Sequence, residues 1–296
     1  MVFKPLPDKS RWEGVIVCAW IVLLDLVLLI WAWQRATDAI RFGLLVLIAL
    51  SIPVFLHLLY RTWSLFTLEY WVDRNAITIR WANVRQIVPL AAIGQIVQGG
   101  VEDLRQPGIL HWPAPAMRTG LVAGAPSVLL CATRPLSECL VIETDSGSFA
   151  LSPNDPTRFL QTVQDRFQVG SALSLWVAQV RSSPWPGLTG ESSVGTWLLG
   201  LGFVGVVALF GMLMVRYPSL PSPLTFRYNS DGLPEVVREK AALFLIPTIG
   251  LLAWVVNGLW GMWMLRRKEQ TGAYMLWGGA LIVQICSLLA LSSLLP

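Results

Sequence analysis

The chain of 296 residues is too apolar for a water-soluble protein, since 54% of its residues are apolar and 14% are charged, against about 25% charged in an average globular domain. Its formal net charge of +4 is too small to indicate a nucleic acid partner. Its four cysteines form neither a disulfide framework nor a cluster with metal-binding spacing. Composition therefore predicts an integral membrane protein.

Residues 1–60 are predicted to form a transmembrane hairpin. The apolar runs Gly14–Trp33 and Phe42–Tyr60 have about the 20-residue length that spans the hydrocarbon layer. The first run is longer than the roughly 7–15-residue apolar core of a secretory signal, so we interpret it as a span. Pro53 kinks the second run, which a membrane helix tolerates.

From Arg61 to residue 170 the sequence changes to a polar module of about seven short strands closed by one helix. Runs rich in aromatic and β-branched residues predict strands at Leu65–Asp73, Ala76–Trp81, Arg85–Leu90, Val128–Thr133, Cys139–Thr144 and Ser148–Leu151. Glu102–Pro126 is a long loop or a distorted strand pair. Asn154 or Asp155 is expected to cap a helix that begins at Pro156. One face of that helix is predicted to be apolar, with Phe159, Leu160, Val163 and Phe167.

Four motifs in this module carry a resemblance to a known family. They are Tyr70-x-x-Asp73, Val88-Pro89-Leu90-x-x-Ile93, Val141-Ile142-x-Thr144-x-x-Gly147 and Ser152-Pro153-x-Asp155-Pro156-x-x-Phe159. The stretch Trp63–Val169 resembles the bacterial pleckstrin-homology (PH-like) domain family. The resemblance implies a strongly bent, partly open β-barrel capped by a C-terminal helix and commonly fused to membrane spans. It brings no shared catalytic residues.

Residues 171–193 are predicted to be an amphipathic segment followed by a hinge. Ser171–Arg181 has helical apolar spacing and is either a segment lying on the membrane surface or an extension of the closing helix. Ser182–Ser193 contains the prolines and glycine typical of a hinge.

The C-terminal region 194–296 is predicted to contain three more spans, Val194–Val215, Ala241–Met264 and Gly272–Leu291. A loop at 216–240 separates the first two. Glycines 195, 202 and 205 lie roughly on one helix face, which indicates either close helix contact or ordinary membrane glycine usage. The tract from Tyr217 onward is similar to an uncharacterised membrane-associated region of bacterial polytopic proteins, with Thr225 where that pattern places a His.

The predicted fold is thus an α+β membrane protein, with five transmembrane α-helices and an inserted PH-like β-barrel capped by a helix. Five spans place the termini on opposite faces. Arg266, Arg267 and Lys268 in the loop after the fourth span favour a cytoplasmic N-terminus by the positive-inside rule. The PH-like module would then be cytoplasmic, the 216–240 loop extracytoplasmic, and the protein a multi-pass component of the cell (plasma) membrane.

Asp25 is the strongest candidate for a functional side chain, because it lies near the middle of the first span and intramembrane carboxyl groups usually face a partner or a water-filled cavity. Helical rise places Ser51 and Gln284 at a similar depth. We therefore hypothesise a midplane polar cluster of Asp25, Ser51 and Gln284. It is either a proton or ion relay, or a neutral carboxyl group that holds helices together by hydrogen bonds.

Catalytic and cofactor chemistry is not expected. The chain lacks the G-x-S-x-G, phosphate-loop and H-E-x-x-H motifs. His57, within a span, and His111, in a loop, are its two histidines, which disfavours a zinc site. We predict no metal and no cofactor.

The predicted function is a non-enzymatic membrane scaffold or regulator. Residues 61–193 contain ten basic and ten acidic side chains and lack lysine, so phosphoinositide-type head-group binding is disfavoured. A protein partner or self-association through an open strand edge is preferred. The alternative is a small transporter, or a transporter subunit, that uses Asp25.

Overall fold

The computed structural model describes residues 1–99, 118–120, 128–169, 176–181, 194–222, 224–228 and 234–295. Within these residues the fold is α+β, with six α-helices, two five-stranded sheets and one separate β-hairpin. The chain divides into two compact units. The first unit is Met1–Leu23 with Ile52–Ser183, and the second is Leu24–Ser51 with Pro184–Pro296.

The first sheet of the first unit is antiparallel and has the order β1-β2-β3-β4-β10. Its strands are Val2–Phe3 (β1), Glu69–Val72 (β2), Ala76–Trp81 (β3), Val84–Pro89 (β4) and Ala178–Arg181 (β10). Alternate residues of β2 and β3 point inward, as the side-chain period of a strand requires. Tyr70, Val72, Ile77 and Ile79 are almost completely buried.

The second sheet has the order β5-β8-β9-β7-β6, and its β7 and β9 run parallel. Its strands are Ile93–Gln98 (β5), Arg118–Gly120 (β6), Val128–Cys131 (β7), Leu140–Thr144 (β8) and Gly147–Leu151 (β9). A single 3₁₀ turn, Leu90–Ala92, leads from β4 in the first sheet to β5 in the second.

A common core joins the two sheets, with Ile77 and Ile79 from the first and Ile142, Phe149 and Leu151 from the second. The resemblance implied a partly open β-barrel, and the described strands form two sheets without a closed barrel. The physical reason is the hydrogen-bond pattern: strands β1 and β10 end the first sheet and β5 and β6 end the second, and no described ladder joins these edges.

Helix α3, Pro156–Val169, begins where the sequence predicted. The backbone N–H of Arg158 donates to Asp155 Oδ1 at 3.0 Å, which identifies Asp155 as the cap. Phe159 and Val163 face the core, as predicted. Leu160 and Phe167 are 37% and 60% exposed, so the buried stripe is narrower than expected.

The prediction of a helical or surface-lying segment at Ser171–Arg181 is wrong for its last four residues. Ala178–Arg181 is strand β10, which pairs antiparallel with β4 from Ala178 opposite Ile87 to Arg181 opposite Val84. Pairing satisfies the backbone hydrogen bonds along the edge of β4, which an isolated surface helix would not do. Residues 170–175 and the hinge at 182–193 lie outside the described residues.

Five of the six helices are long and apolar enough to cross a membrane. They are α1 (Ser10–Gln34), α2 (Ala39–Phe66), α4 (Val194–Arg216), α5 (Leu245–Arg266) and α6 (Gln270–Leu294). Between α4 and α5, short 3₁₀ helices at Tyr217–Ser219 and Lys240–Phe244 flank the hairpin of Leu224–Tyr228 (β11) and Pro234–Arg238 (β12). The predicted loop at 216–240 thus contains a β-hairpin.

Glycines on α4 and α5 allow the three C-terminal helices to pack closely. A Cβ atom at Gly195 would lie 2.6 Å from the ring of Trp277, one at Gly202 would overlap Trp254, and one at Gly205 would overlap Gln284. All three predicted glycines therefore mark helix contacts. Two indole N–H groups also cross between helices, from Trp254 to the carbonyl of Leu199 at 3.1 Å and from Trp277 to the carbonyl of Gly258 at 3.3 Å.

Candidate functional site

Asp25 and Ser51 meet between α1 and α2. Ser51 Oγ lies 2.6 Å from Asp25 Oδ2 and 2.7 Å from the carbonyl oxygen of Ile48. The Ser51 hydroxyl group donates to the Asp25 carboxyl group and also lies within hydrogen-bond distance of the Ile48 carbonyl oxygen. The contact between Asp25 and Ser51 therefore links α1 to α2.

Gln284 has a different environment from this pair. Its side chain is 3% exposed, and its Nε2 donates to the carbonyl oxygen of Gly202 at 2.8 Å. Its Oε1 is buried and has no hydrogen-bond partner within the described part of the chain, and the same holds for Asp25 Oδ1. The structure thus joins Asp25 to Ser51, and in the described residues it records no hydrogen bond from either of them to Gln284.

The structure describes one of the two histidines. His57 lies on the exposed surface of α2, and His111 falls outside the described residues. Among the residues that the structure describes, no three His, Cys, Asp or Glu side chains gather in a group that could hold a metal ion.

The segment before the first helix is part of the two-sheet unit, which the sequence analysis missed. Val2 and Phe3 pair with Trp71 and Tyr70 of β2. The Phe3 side chain is 6% exposed and packs edge-to-face on Phe159 of α3 with ring centroids 5.3 Å apart. Strand β1 therefore contributes to the core, although α1 and α2 separate it in the sequence from the other strands.

Hydrogen bonds fix the rest of this segment to residues that follow β7 and β9. The N–H of Leu6 donates to the carbonyl of Ser152 at 2.8 Å, and the N–H of Asn154 donates to the carbonyl of Lys4 at 3.0 Å. Thr133 Oγ1 donates to the carbonyl of Leu6 at 2.7 Å. Residues 1–6 thus form a strap across both sheets. The sequence signal was weak, since two apolar residues in a polar start are too few to show a strand period.

Tyr70 connects the sheets from within. Its hydroxyl group donates to the carbonyl of Cys131 at 2.7 Å and accepts from the N–H of Ser152 at 3.2 Å. Complete burial raises the pKa of the Tyr70 phenol well above its ordinary value. Burial likewise raises the pKa of the Cys131 thiol, and it raises that of Cys139 to about 12. These groups are neutral, structural parts of the core rather than nucleophiles.

A cavity of about 400 Å³ opens where the strap, the start of α1 and the end of α2 meet. Its polar lining comes from Lys4, Arg11, Glu69 and Asn154, and Leu65 and Phe66 supply an apolar wall. The Arg11 guanidinium carbon lies 5.6 Å from the centre of the Phe66 ring. Arg11 Nε is buried and has no hydrogen-bond partner among the described residues.

Comparison with known proteins identifies the two-sheet unit. Residues 68–167 match the family model described as "Bacterial PH domain". No curated protein and no solved structure matches the chain. The matched range begins just before β2 and ends within α3, so it omits both β1 and β10. Residues 68–167 of this chain are a bacterial PH domain, which the structure extends with one strand from each side of the matched range.

Proposed function

We propose that the protein is a non-enzymatic membrane scaffold or regulator whose PH domain docks protein partners at the membrane. The observation that carries the proposal is strand β1. Because β1 precedes α1 and pairs with β2, which follows α2, the helical hairpin is inserted into the PH domain itself. The domain is therefore anchored at two points, which holds an interaction module at the lipid surface better than one flexible tether would.

The same pairing supports a topology. Strands β1, β2 and β10 belong to one sheet, so the chain ends before α1, after α2 and before α4 share a face of the membrane. When α4 crosses the membrane and α5 crosses back, residues 217–244 lie on the opposite face. Arg266, Arg267 and Lys268 then fall on the PH face, and the positive-inside rule makes that face cytoplasmic. We place the protein in the plasma membrane with its N-terminus and PH domain inside.

The docking surface of this proposal is the edge of the second sheet. Strand β5 ends that sheet among the described strands, and Gln95 and Gln98 are exposed on it. An edge strand offers backbone donors and acceptors to a strand of a partner.

Photo-crosslinking in native membranes tests this surface. A photoreactive residue at Gln95 or Gln98 is expected to yield a discrete protein adduct, and one at Gln161, exposed on α3, is the matched control. Equal adducts at all three positions, or none at any, would remove the docking proposal.

A second candidate function is transport through an Asp25-centred site. It is favoured by the position of Asp25 within a span and by its unpaired buried Oδ1. Solute or proton flux in liposomes that contain the purified chain is the test. Flux abolished by Asp25→Asn, together with no partner in a mild-detergent pull-down, would rank transport above docking.

A further inference from the structure

We propose that the cavity between the strap and the helix ends is a binding site for the phosphate of one anionic phospholipid head group. The first argument is charge. Lys4 and Arg11 bring two positive charges to the lining and Glu69 brings one negative charge, and Glu69 Oε2 accepts a hydrogen bond from Trp71 at 3.0 Å. One positive charge of the lining therefore remains uncompensated, and it can neutralise the single negative charge of a phosphodiester.

The second argument is the unused donor on Arg11. Its Nε atom is buried and has no hydrogen-bond partner in the described part of the chain. A buried donor without an acceptor is unfavourable. Phosphate oxygens, like carboxylate oxygens, match the forked geometry of guanidinium N–H groups. An anion would also lie near the start of α1, where the helix dipole favours negative charge.

The third argument is position. Arg11 is in the first turn of α1, and Leu65 and Phe66 end α2, so the cavity lies where two membrane helices leave the lipid. Trp12 is 59% exposed and packs edge-to-face on Phe66 at 5.8 Å, and Trp63 is 44% exposed nearby in sequence. Exposed tryptophans at helix ends mark the head-group layer. The apolar wall of the cavity then faces the glycerol and upper acyl region of the same lipid.

The charges of residues 61–193 disfavoured head-group binding, because that count leaves out the two cations of this cavity. Residues 61–193 contain no lysine, and both cations of the cavity come from the segment before the first span. Polyanionic head groups need clusters of about four to eight basic residues, and the cavity has two. The expected ligand is thus a singly charged phosphodiester such as phosphatidylglycerol.

Lipid retention by the full chain tests the proposal. The protein is reconstituted in nanodiscs of phosphatidylcholine with phosphatidylglycerol, released into mild detergent, and the retained lipids are counted by native mass spectrometry. One phosphatidylglycerol per chain is expected. Arg11→Gln should weaken its retention about tenfold, since a charge-assisted contact to phosphate is lost. Lys4→Gln should weaken it in the same direction.

Lys9→Gln is the matched control, because it removes the same charge from an exposed side chain that does not line the cavity. Its effect should stay within about twofold. Arg11→Lys keeps the charge without Nε and provides a second variant if Arg11→Gln does not fold. Equal losses in all variants, equal retention of phosphatidylcholine, or full displacement of the lipid by millimolar inorganic phosphate would each overturn the lipid assignment.

Discussion

Replacing Phe3 by alanine should loosen the PH domain although residue 3 precedes both α1 and α2. Phe3 is 6% exposed and packs on Phe159. Removing about 150 Å² of apolar surface at about 25 cal/mol/Å² gives about 4 kcal/mol, which agrees with the roughly 3–5 kcal/mol typical of Phe→Ala in cores. The strap should therefore detach far more often in the variant.

Hydrogen exchange of the full chain in detergent measures this detachment directly. The N–H of Val72 donates to the carbonyl of Met1 at 2.8 Å, and the N–H of Asn154 donates to that of Lys4. A loss of about 4 kcal/mol corresponds to roughly thousandfold faster exchange at these amides. Val2→Ala is the control, since Val2 lies in the same strand and is 46% exposed. Equal protection in the two variants would refute the assignment of the strap to the domain.

Three further predictions concern the core and the spans. Asp25→Asn should fold as well as the wild type, because an amide oxygen can still accept the hydrogen bond from Ser51. Asp25→Leu should lower the thermal midpoint in detergent, and equal midpoints would argue against a structural hydrogen bond. Gly205→Leu should disrupt the packing of α4 on α6, while Gly200→Leu, at a position with open space around it, should be silent in the same melting experiment. The free energy of unfolding of the PH domain should fall as the pH rises above about 8.5. The unfolded thiols and phenol lose protons from about pH 8.5 and 10, while their raised native pKa values keep Cys139 and Tyr70 neutral in the folded domain. A flat profile from pH 7 to 10.5 in denaturant titrations would contradict it.

The local elements of the fold could be predicted because their signals are local. Asn154-Asp155-Pro156 combines a capping side chain with a proline at the first helical position, and α3 begins at Pro156. The apolar runs predict the long helices in the same way, since about 20 residues must be apolar to match the lipid thickness. Helix α2 continues to Phe66, beyond the predicted end of the apolar run at Tyr60. The run ends earlier because polar residues are interspersed in the last helical turns.

The non-local pairings could not be predicted from the sequence. Strand β1 has two residues, too few to show a period, and its partner strand follows α2 in the sequence. Ala178–Arg181 alternates in a way that fits a strand or a helical turn, and only its pairing with β4 decides. The parallel contact of β7 and β9 depends on a crossover that no local motif encodes.

For Asp25, Ser51 and Gln284, too, one part of the arrangement could be predicted from the sequence and another could not. Depth along a span follows from helical rise, and the two residues of the hairpin placed at one depth, Asp25 and Ser51, are hydrogen-bonded. Rotation about the helix axis does not follow from depth. Gln284 points to the carbonyl of Gly202, which is accessible because glycines on α4 let α6 approach.

Side-specific cysteine labelling in sealed membrane vesicles tests most directly that a helical hairpin is inserted into the PH domain. In a cysteine-free background, Val2→Cys and Trp71→Cys replace partly exposed, paired residues of β1 and β2, and Ser219→Cys reports on the segment after α4. An impermeant reagent is expected to label positions 2 and 71 from one side of the membrane and position 219 from the other. Labelling of positions 2 and 71 from opposite sides would contradict it.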